Sequence, residues 1–471
     1  MLSEKDTFGN RASDDLILQE MTEALKKNLL NKWYPLVLDK VNGGYFTNVS
    51  YDWEIDSEQY KMIVTQARHI WTTSKAALLF NNTVYETAAK HGFYFLKNYL
   101  WDKNFGGFYQ MRNFKGGFTD YLGFNEEKRT YGNAFGIFGL AAFYDLTKDE
   151  NVLNFIKEVF GWIESHAYDP KYGGYFQFLT PEGIPFNKDS EYKSQAYDIP
   201  ELGYKDQNSS IHLLEAYTEL YAVWKDPELK SQLMNLLILI RDVITTPKGY
   251  MNLFFQNDWN PVSFRNDVKE ERENNYRLEH VSFGHDYETA FLLLEASYIL
   301  DLTDDYKTLS IAKKMVDHAL FNGWDAENGG FFDAGYYFQD EDNCTIIQST
   351  KNWWAQAEGL NTLLIMSKIF PDNQTYSEYF VKQWEYIKKY LLDNEHGGWF
   401  EGGLDKEPQF NTGHKGHIWK CTYHTARALM NCIKILSLNK RDSLIYGESF
   451  IQQSKEYNNF IHHWKNINKT V

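Results

Sequence analysis

The sequence predicts an all-α fold, an (α/α)6 barrel of six inner and six outer helices with short β-hairpins after Gly-Gly turns. Two observations lead there: a turn motif that recurs along the chain, and helical stretches of two kinds between its copies. The motif reads Asp, three residues, Gly-Gly and two aromatics. It runs from Asp39 to Phe46, Asp102 to Tyr109, Asp169 to Phe176, Asp325 to Phe332 and Asp393 to Phe400. First glycines are 63, 67, 156 and 68 residues apart. The long step is about twice the others and holds a degenerate copy, Pro247-Lys248-Gly249-Tyr250, so six units emerge. Within each, Asp opens a turn, Gly supplies the positive φ, and the aromatics begin a short strand.

The helices follow in order. Tyr131 to Tyr144, Tyr287 to Leu300 and Glu358 to Phe370 are apolar on nearly every face, as helices buried on all sides are. Asp149 to His166 and Tyr376 to Leu392 are amphipathic and suit an outer ring. Six inner–outer pairs describe a closed barrel; an open solenoid is the alternative arrangement. No Pro- or Ser-rich linker divides the chain, so residues 1–471 are read as a single domain. Two segments interrupt the repeat: Gln177 to Lys205, polar and loop-like, and Asn257 to Leu278, charged. Residues 441–471 fall outside the repeat and are read as an extension with an extra helix.

Composition narrows the partners. The chain has 471 residues and a formal net charge of −16, with no Lys/Arg-dense segment of the kind nucleic acid requires. Three cysteines, Cys344, Cys421 and Cys432, offer neither a disulfide framework nor paired zinc knuckles. The start is polar and acidic, without the pattern of a secretion signal, and no run approaches the length of a membrane span. These features predict a cytoplasmic protein, monomer or homodimer, acting on a neutral or small molecule.

One polar or aromatic side chain per unit recurs at a similar distance after each glycine turn. Arg68 and Tyr131 lie 25 residues after a first glycine, Trp353 24 and His424 27. His285 lies 36 after Gly249 and His212 39 after Gly173, in the two units that carry the insertions. In a closed barrel such positions converge on one cavity. Asn208 shares a helix face with His212. Glu288, three beyond His285, is placed to accept its ring N–H. Trp354 and Glu358 follow Trp353, and Trp419 lies five before His424. The alternative for each is ordinary: core histidines, packing tryptophans, buried salt bridges. Three histidines also suit zinc, but no HExxH-type pair occurs and each comes from a distant segment. Two histidines in one pocket can exchange a proton with carbon near neutral pH, and a cationic Arg beside a carbonyl stabilises the charge that develops.

Gln66 to Trp71, Tyr131 to Phe135, Asn208 to Tyr217, Ser282 to Glu288, Trp353 to Glu358 and Trp419 to Arg427 together resemble the N-acylglucosamine 2-epimerase superfamily, closest to its cellobiose 2-epimerase branch. The resemblance implies a sugar epimerase acting at C2, with no metal and no other cofactor. It implies His285 and His424 as the acid/base pair, His212 as a helper in ring opening and Arg68 as the clamp on the carbonyl oxygen. Glu288 would support His285. Tyr131, Asn208, Trp353 or Trp354, Glu358 and Trp419 would hold the sugar. Ala355 stands where the family usually has proline, and Thr-Ala-Arg follows His424 in place of Asn-Ser-Arg. Those departures bear on which sugar is bound: a disaccharide, a free hexose or an N-acylhexosamine.

Overall fold

The computed structural model describes residues 4–339, 341–437 and 448–469. Its long helices are α1 (Glu4–Glu23), α2 (Ile63–Phe80), α3 (Thr83–Phe95), α4 (Thr130–Thr147), α5 (Glu150–His166), α6 (Gln207–Val223), α7 (Pro227–Leu239), α8 (Phe283–Ile299), α9 (Tyr306–Gly323), α10 (Trp353–Ile369), α11 (Gln374–Tyr390), α12 (Tyr423–Leu436) and α13 (Glu448–Lys469). The ring closes. The inner helix α2 packs on α4, α4 on α6, α6 on α8, α8 on α10, α10 on α12, and α12 returns to α2. Helices α3, α5, α7, α9 and α11 each cover the inner helix before them or beside them, and α1 covers α12. Closure decides between the barrel and the open solenoid.

Sequence explains which helix lies where. Almost every side chain of α4 is buried, whereas α5 buries Val152, Phe155, Ile156, Val159, Phe160 and Ile163, a single stripe at three- and four-residue spacing. Outer helices begin with a side-chain cap: Asn82, Asp149, Asp226, Asp305 and Asn373 each accept a backbone N–H of their own first turn. Inner helices, α6 excepted, begin without one.

The turn motif is more than a reversal. Asp39 Oδ1 accepts from the N–H groups of Val41 (3.1 Å) and Asn42 (2.8 Å), and Gly43 and Gly44 follow at φ 87° and 68°. Its other oxygen takes Lys61 Nζ at 2.8 Å, and the same ammonium reaches Gly43 O. Lys128 with Asp102, Lys205 with Asp169, Lys351 with Asp325 and Lys415 with Asp393 repeat the pair. All but Lys415 stand two residues before an inner helix, so each staple fixes a glycine turn to the start of the next inner helix. The degenerate unit lacks both members: Thr246 occupies the Asp position and Val281 the Lys position. A second tie comes from the fourth residue of three inner helices. Gln66, Asn133 and Gln356 bond both the N–H and the C=O of Tyr45, Phe108 and Phe331.

The strands differ from the expected hairpins. Across each glycine turn only one residue pair bridges, such as Leu38 with Tyr45. The chain then runs on to pair with the strand before the preceding inner helix. Thus β1 (Tyr60–Met62) pairs with β2 (Met111–Asn113), β3 (Lys128–Arg129) with β4 (Phe178–Leu179), and β5 (Lys205–Asp206) with β6 (Phe254–Phe255). β7 (Val281–Ser282) joins β8 (Ala334–Tyr336) and β9 (Thr345–Gln348) in a three-stranded sheet. After that single bridge the two arms part, and the pairing moves to the neighbouring unit. The segment 177–205 is irregular around a small cluster of Phe178, Phe186 and Leu202. The segment 257–278 carries two short helices, Lys269–Asn274 and Tyr276–Glu279. Of the expected extension, α13 packs against the barrel through Phe460, Ile461 and Trp464. Residues 441–447 and 470–471 lie outside the described residues. No helix among those described is long and apolar enough to cross a membrane.

Candidate active site

Apart from Trp419, which lies in the bend before α12, the residues singled out above sit in the first two turns of the inner helices, at two levels. Tyr131, Asn208, Trp354 and His424 are the second residues of α4, α6, α10 and α12. Arg68, His212, Glu288 and Glu358 are the sixth residues of α2, α6, α8 and α10. Residues four apart share a helix face, so each helix offers an upper and a lower group to the axis. His285, third on α8, joins the upper level. Uncapped amides at the starts of five of these helices add a positive potential at that end of the barrel.

Each histidine is held by Nδ1. His212 Nδ1 meets Glu215 Oε2 at 2.9 Å, His285 Nδ1 meets Ser282 Oγ at 2.8 Å, and His424 Nδ1 meets Glu358 Oε1 at 2.8 Å. In all three, Nε2 has no protein partner among the described residues. Burial pushes His212 and His285 down to about 3 and His424 well below the usual imidazole range, because a desolvated ring favours its uncharged form. His285 and His424 lean on the same indole: the Trp354 ring centroid is 4.7 Å from one imidazole and 5.7 Å from the other. Arg68 donates to Tyr131 Oη (3.0 Å) and Trp419 O (3.1 Å), with its guanidinium over Phe135, while its buried Nε has no partner.

Above this lies a cavity of about 300 Å³, within the range of small-ligand sites. Tyr131, Asn208, His285 and Trp419 line it. So do groups from the two insertions and their neighbours: Arg129, Asp198, Glu201, Asp206, Arg277 and His280. Burial pushes Glu201 up to about 7 and Asp206 to about 6. These cavity acids were not singled out in the sequence, because neither segment carries a repeat or a periodicity.

Two expectations change and one open choice is decided. Glu358, expected to hold the sugar, is fully buried and is bonded by His424 Nδ1 and Arg427 instead. Glu288 does not serve His285; Ser282 does. Glu288 lies a turn deeper, where Oε1 accepts from Arg427 Nη2 at 2.5 Å and stands 3.7 Å from His424 Nδ1. Of the two tryptophans, Trp353 turns away to His417 and Lys420, and Trp354 faces the histidines. The residue that sequence reasoning missed is Arg427, which binds Glu215, Glu288 and Glu358 together. It stands inside a motif noted above, three beyond His424, but nothing in the sequence says that three helices aim carboxylates at it.

Among the described residues, Glu288, Glu358 and His424 form the group with metal-ligand atoms gathered within 4.8 Å. The set does not fit a metal: Arg427 Nη2 already lies 2.5 and 2.6 Å from the two carboxylate oxygens. Among the described residues the ring nitrogens of His212, His285 and His424 are not gathered within 4.8 Å of one another.

A helical barrel with three imidazoles and an arginine at one end of its inner helices defines a class of enzyme that moves protons on a small polar substrate. Comparison with known proteins narrows it. The chain belongs to the N-acylglucosamine 2-epimerase (GlcNAc 2-epimerase) family, whose model matches residues 44–428. A cellobiose 2-epimerase of Bacteroides fragilis is 30% identical over 431 residues, covering 90% of this chain and 99% of that protein. A D-mannose isomerase of Marinomonas mediterranea is 24% identical, covering 86% and 94%. The structure of a cellobiose 2-epimerase from Bacillus thermoamylovorans superposes with a TM-score of 0.76 over 89% of this chain and 99% of that one, at 23% identity, a likeness of fold.

Proposed function

We propose that the chain is a single-domain sugar 2-epimerase that interconverts the glucose and mannose configurations at C2 of a reducing-end residue, in a cellobiose-type disaccharide or a free hexose. The observation that carries this is the pair of imidazoles, His285 and His424, flanking one indole with Nε2 free on each. Inversion at carbon requires a base on one face and a proton donor on the other. In the open-chain sugar one imidazole takes the C2 proton, and the other, protonated, delivers one to the opposite face. The enediolate oxygen formed between them lies under Arg68 and the helix N-termini, which favour negative charge. Tyr131, Asn208, Trp354 and Trp419 hold the sugar, and His212, backed by Glu215, assists ring opening. Glu215, Glu288 and Glu358 are committed to Arg427, so these three do not form the free carboxyl pair that glycoside hydrolysis needs.

The test is incubation with cellobiose, mannobiose, mannose and N-acetylmannosamine in deuterated water, followed by NMR. The expected result is deuterium at C2 and the C2 epimer. A ketose product would make the chain an aldose–ketose isomerase, as the mannose isomerase relative is named. Release of monosaccharide with C2 still protiated would make it a hydrolase. His285→Ala and His424→Ala should each lower turnover by roughly 10³-fold or more, with an unchanged circular dichroism spectrum. Near-full activity in either variant overturns the two-base assignment.

A further inference from the structure

Three buried carboxylates from three inner helices converge on one guanidinium. Arg427 donates through Nη1 to Glu215 Oε1 and through Nη2 to Glu288 Oε1 (2.5 Å) and Glu358 Oε1 (2.6 Å). Glu358 Oε1 is also the partner of His424 Nδ1, while Glu358 Oε2 has none. Around the cluster, α12 contributes the Tyr423 hydroxyl, bonded to Arg427 and Glu215, and Cys432 near Glu358; α2 contributes Arg68. Tyr131 of α4 acts by way of Arg68, and His212 by way of Glu215.

The contact between Glu358 and His424 has two forms. With Glu358 ionised, Nδ1 carries the hydrogen and donates it, and Nε2 holds the lone pair that can accept a proton from carbon. One added proton converts this to the other form: the carboxylic acid donates to Nδ1, and the ring hydrogen resides on Nε2, which can no longer accept. We propose that Arg427 is a positioning residue for His424: it keeps Glu358 ionised and thereby keeps His424 in the tautomer whose Nε2 acts as base. The proposal rests on the reading of His424 as one of the two bases. Burial pushes Glu358 up to about 7, even though Arg427 pulls it down and Glu215 adds to the rise. The balance is therefore close at neutral pH, and the guanidinium decides it.

The test uses the intact chain and follows C2–H exchange in deuterated water from about pH 5 to about pH 9, a span that brackets that titration. Wild-type kcat should rise with pH through about 7, the value of Glu358. Arg427→Gln should move that rising limb up by about one pH unit or more, since an adjacent opposite charge shifts a carboxyl by that amount. KM should change little, and Arg427→Lys should restore part of the shift. If both variants fold and lose activity by one factor at every pH, Arg427 is only a structural cation and the proposal falls. A second measurement needs no variant at this position: 15N shifts of His424 should show Nε2 bare above about pH 7 and protonated below it. A bare Nε2 throughout also overturns the proposal. Retained exchange in His424→Ala instead sinks the base assignment itself.

Discussion

Gly284 sits opposite the indole that both imidazoles touch. A Cβ at this position would lie 2.8 Å from the Trp354 ring and 2.6 Å from Ala355 Cβ, closer than carbon atoms pack. The glycine is needed here for space, not for an unusual backbone, and it stands one residue before His285. Gly284→Ala should therefore push Trp354 out of place and disturb the spacing of the two rings. The expected cost is about 1–3 kcal/mol of stability from overpacking, with kcat lowered about 10- to 100-fold by misplacement of the reacting groups. A thermal melt and steady-state kinetics check both; unchanged kcat would mean that this contact does not set the geometry. At this scale the sequence was readable where helical spacing applied. Offsets after the glycine turns picked out Arg68, Tyr131, His212, His285, Trp353 and His424 as one set facing a shared cavity, but not the two levels into which the helix starts sort the site. It was not readable where a partner comes from another helix. Glu288 looked like a partner for His285 because it is three residues away, but carboxylates follow the nearest cation, and Arg427 is reached only once the ring closes.

At the scale of the element, the glycine turn, its buried Asp–Lys pair and the start of an inner helix form one device. The aspartates were legible as turn formers; the lysines were not, because nothing local marks them as buried. Lys61 and Asp39 are 0% and 1% exposed. Burial alone raises Asp39, but Lys61 and the turn N–H groups outweigh it and leave the carboxyl below its usual range. Its folded pKa is thus depressed, so the stability it brings is present above the unfolded value of about 4 and fades as pH falls through the folded one. Lys61→Met removes the partner and leaves a buried charge unpaired, which costs about 3–5 kcal/mol at pH 7. In the variant, protonation relieves that charge, so the gap between variant and wild type should narrow as pH drops from 7 toward 3. Urea midpoints across that range measure it. A gap that is constant with pH would show that packing of the lysine stem, not its charge, supports the turn.

Across the whole molecule the barrel separates two tasks along its axis. Starts of the inner helices carry the candidate site, and their far ends are covered by α13. The six-unit repeat made the ring legible in the sequence, because a turn motif repeated with near-constant spacing builds the same packing unit each time. The covering helix had no repeat to reveal its docking, and the cavity wall from 177–205 and 257–278 had no periodicity. Trp464 on α13 is fully buried, with Phe460 beside it against Tyr298 of α8. Asn468 bonds Ile369 O at the last residue of α10. Trp464→Ala opens a cavity at this end and should cost about 3–5 kcal/mol, as truncations of large buried aromatics do. Because the groups that bind and react stand at the opposite ends of the same helices, kcat and KM measured well below the lowered melting temperature should stay within about two-fold of wild type, the additivity expected of sites that share no partners. A variant that melts early but reacts normally fits this division. A variant with an unchanged melting temperature and a lost activity would mean that the far end of the barrel communicates with the imidazoles, and the division between cover and site would have to be abandoned.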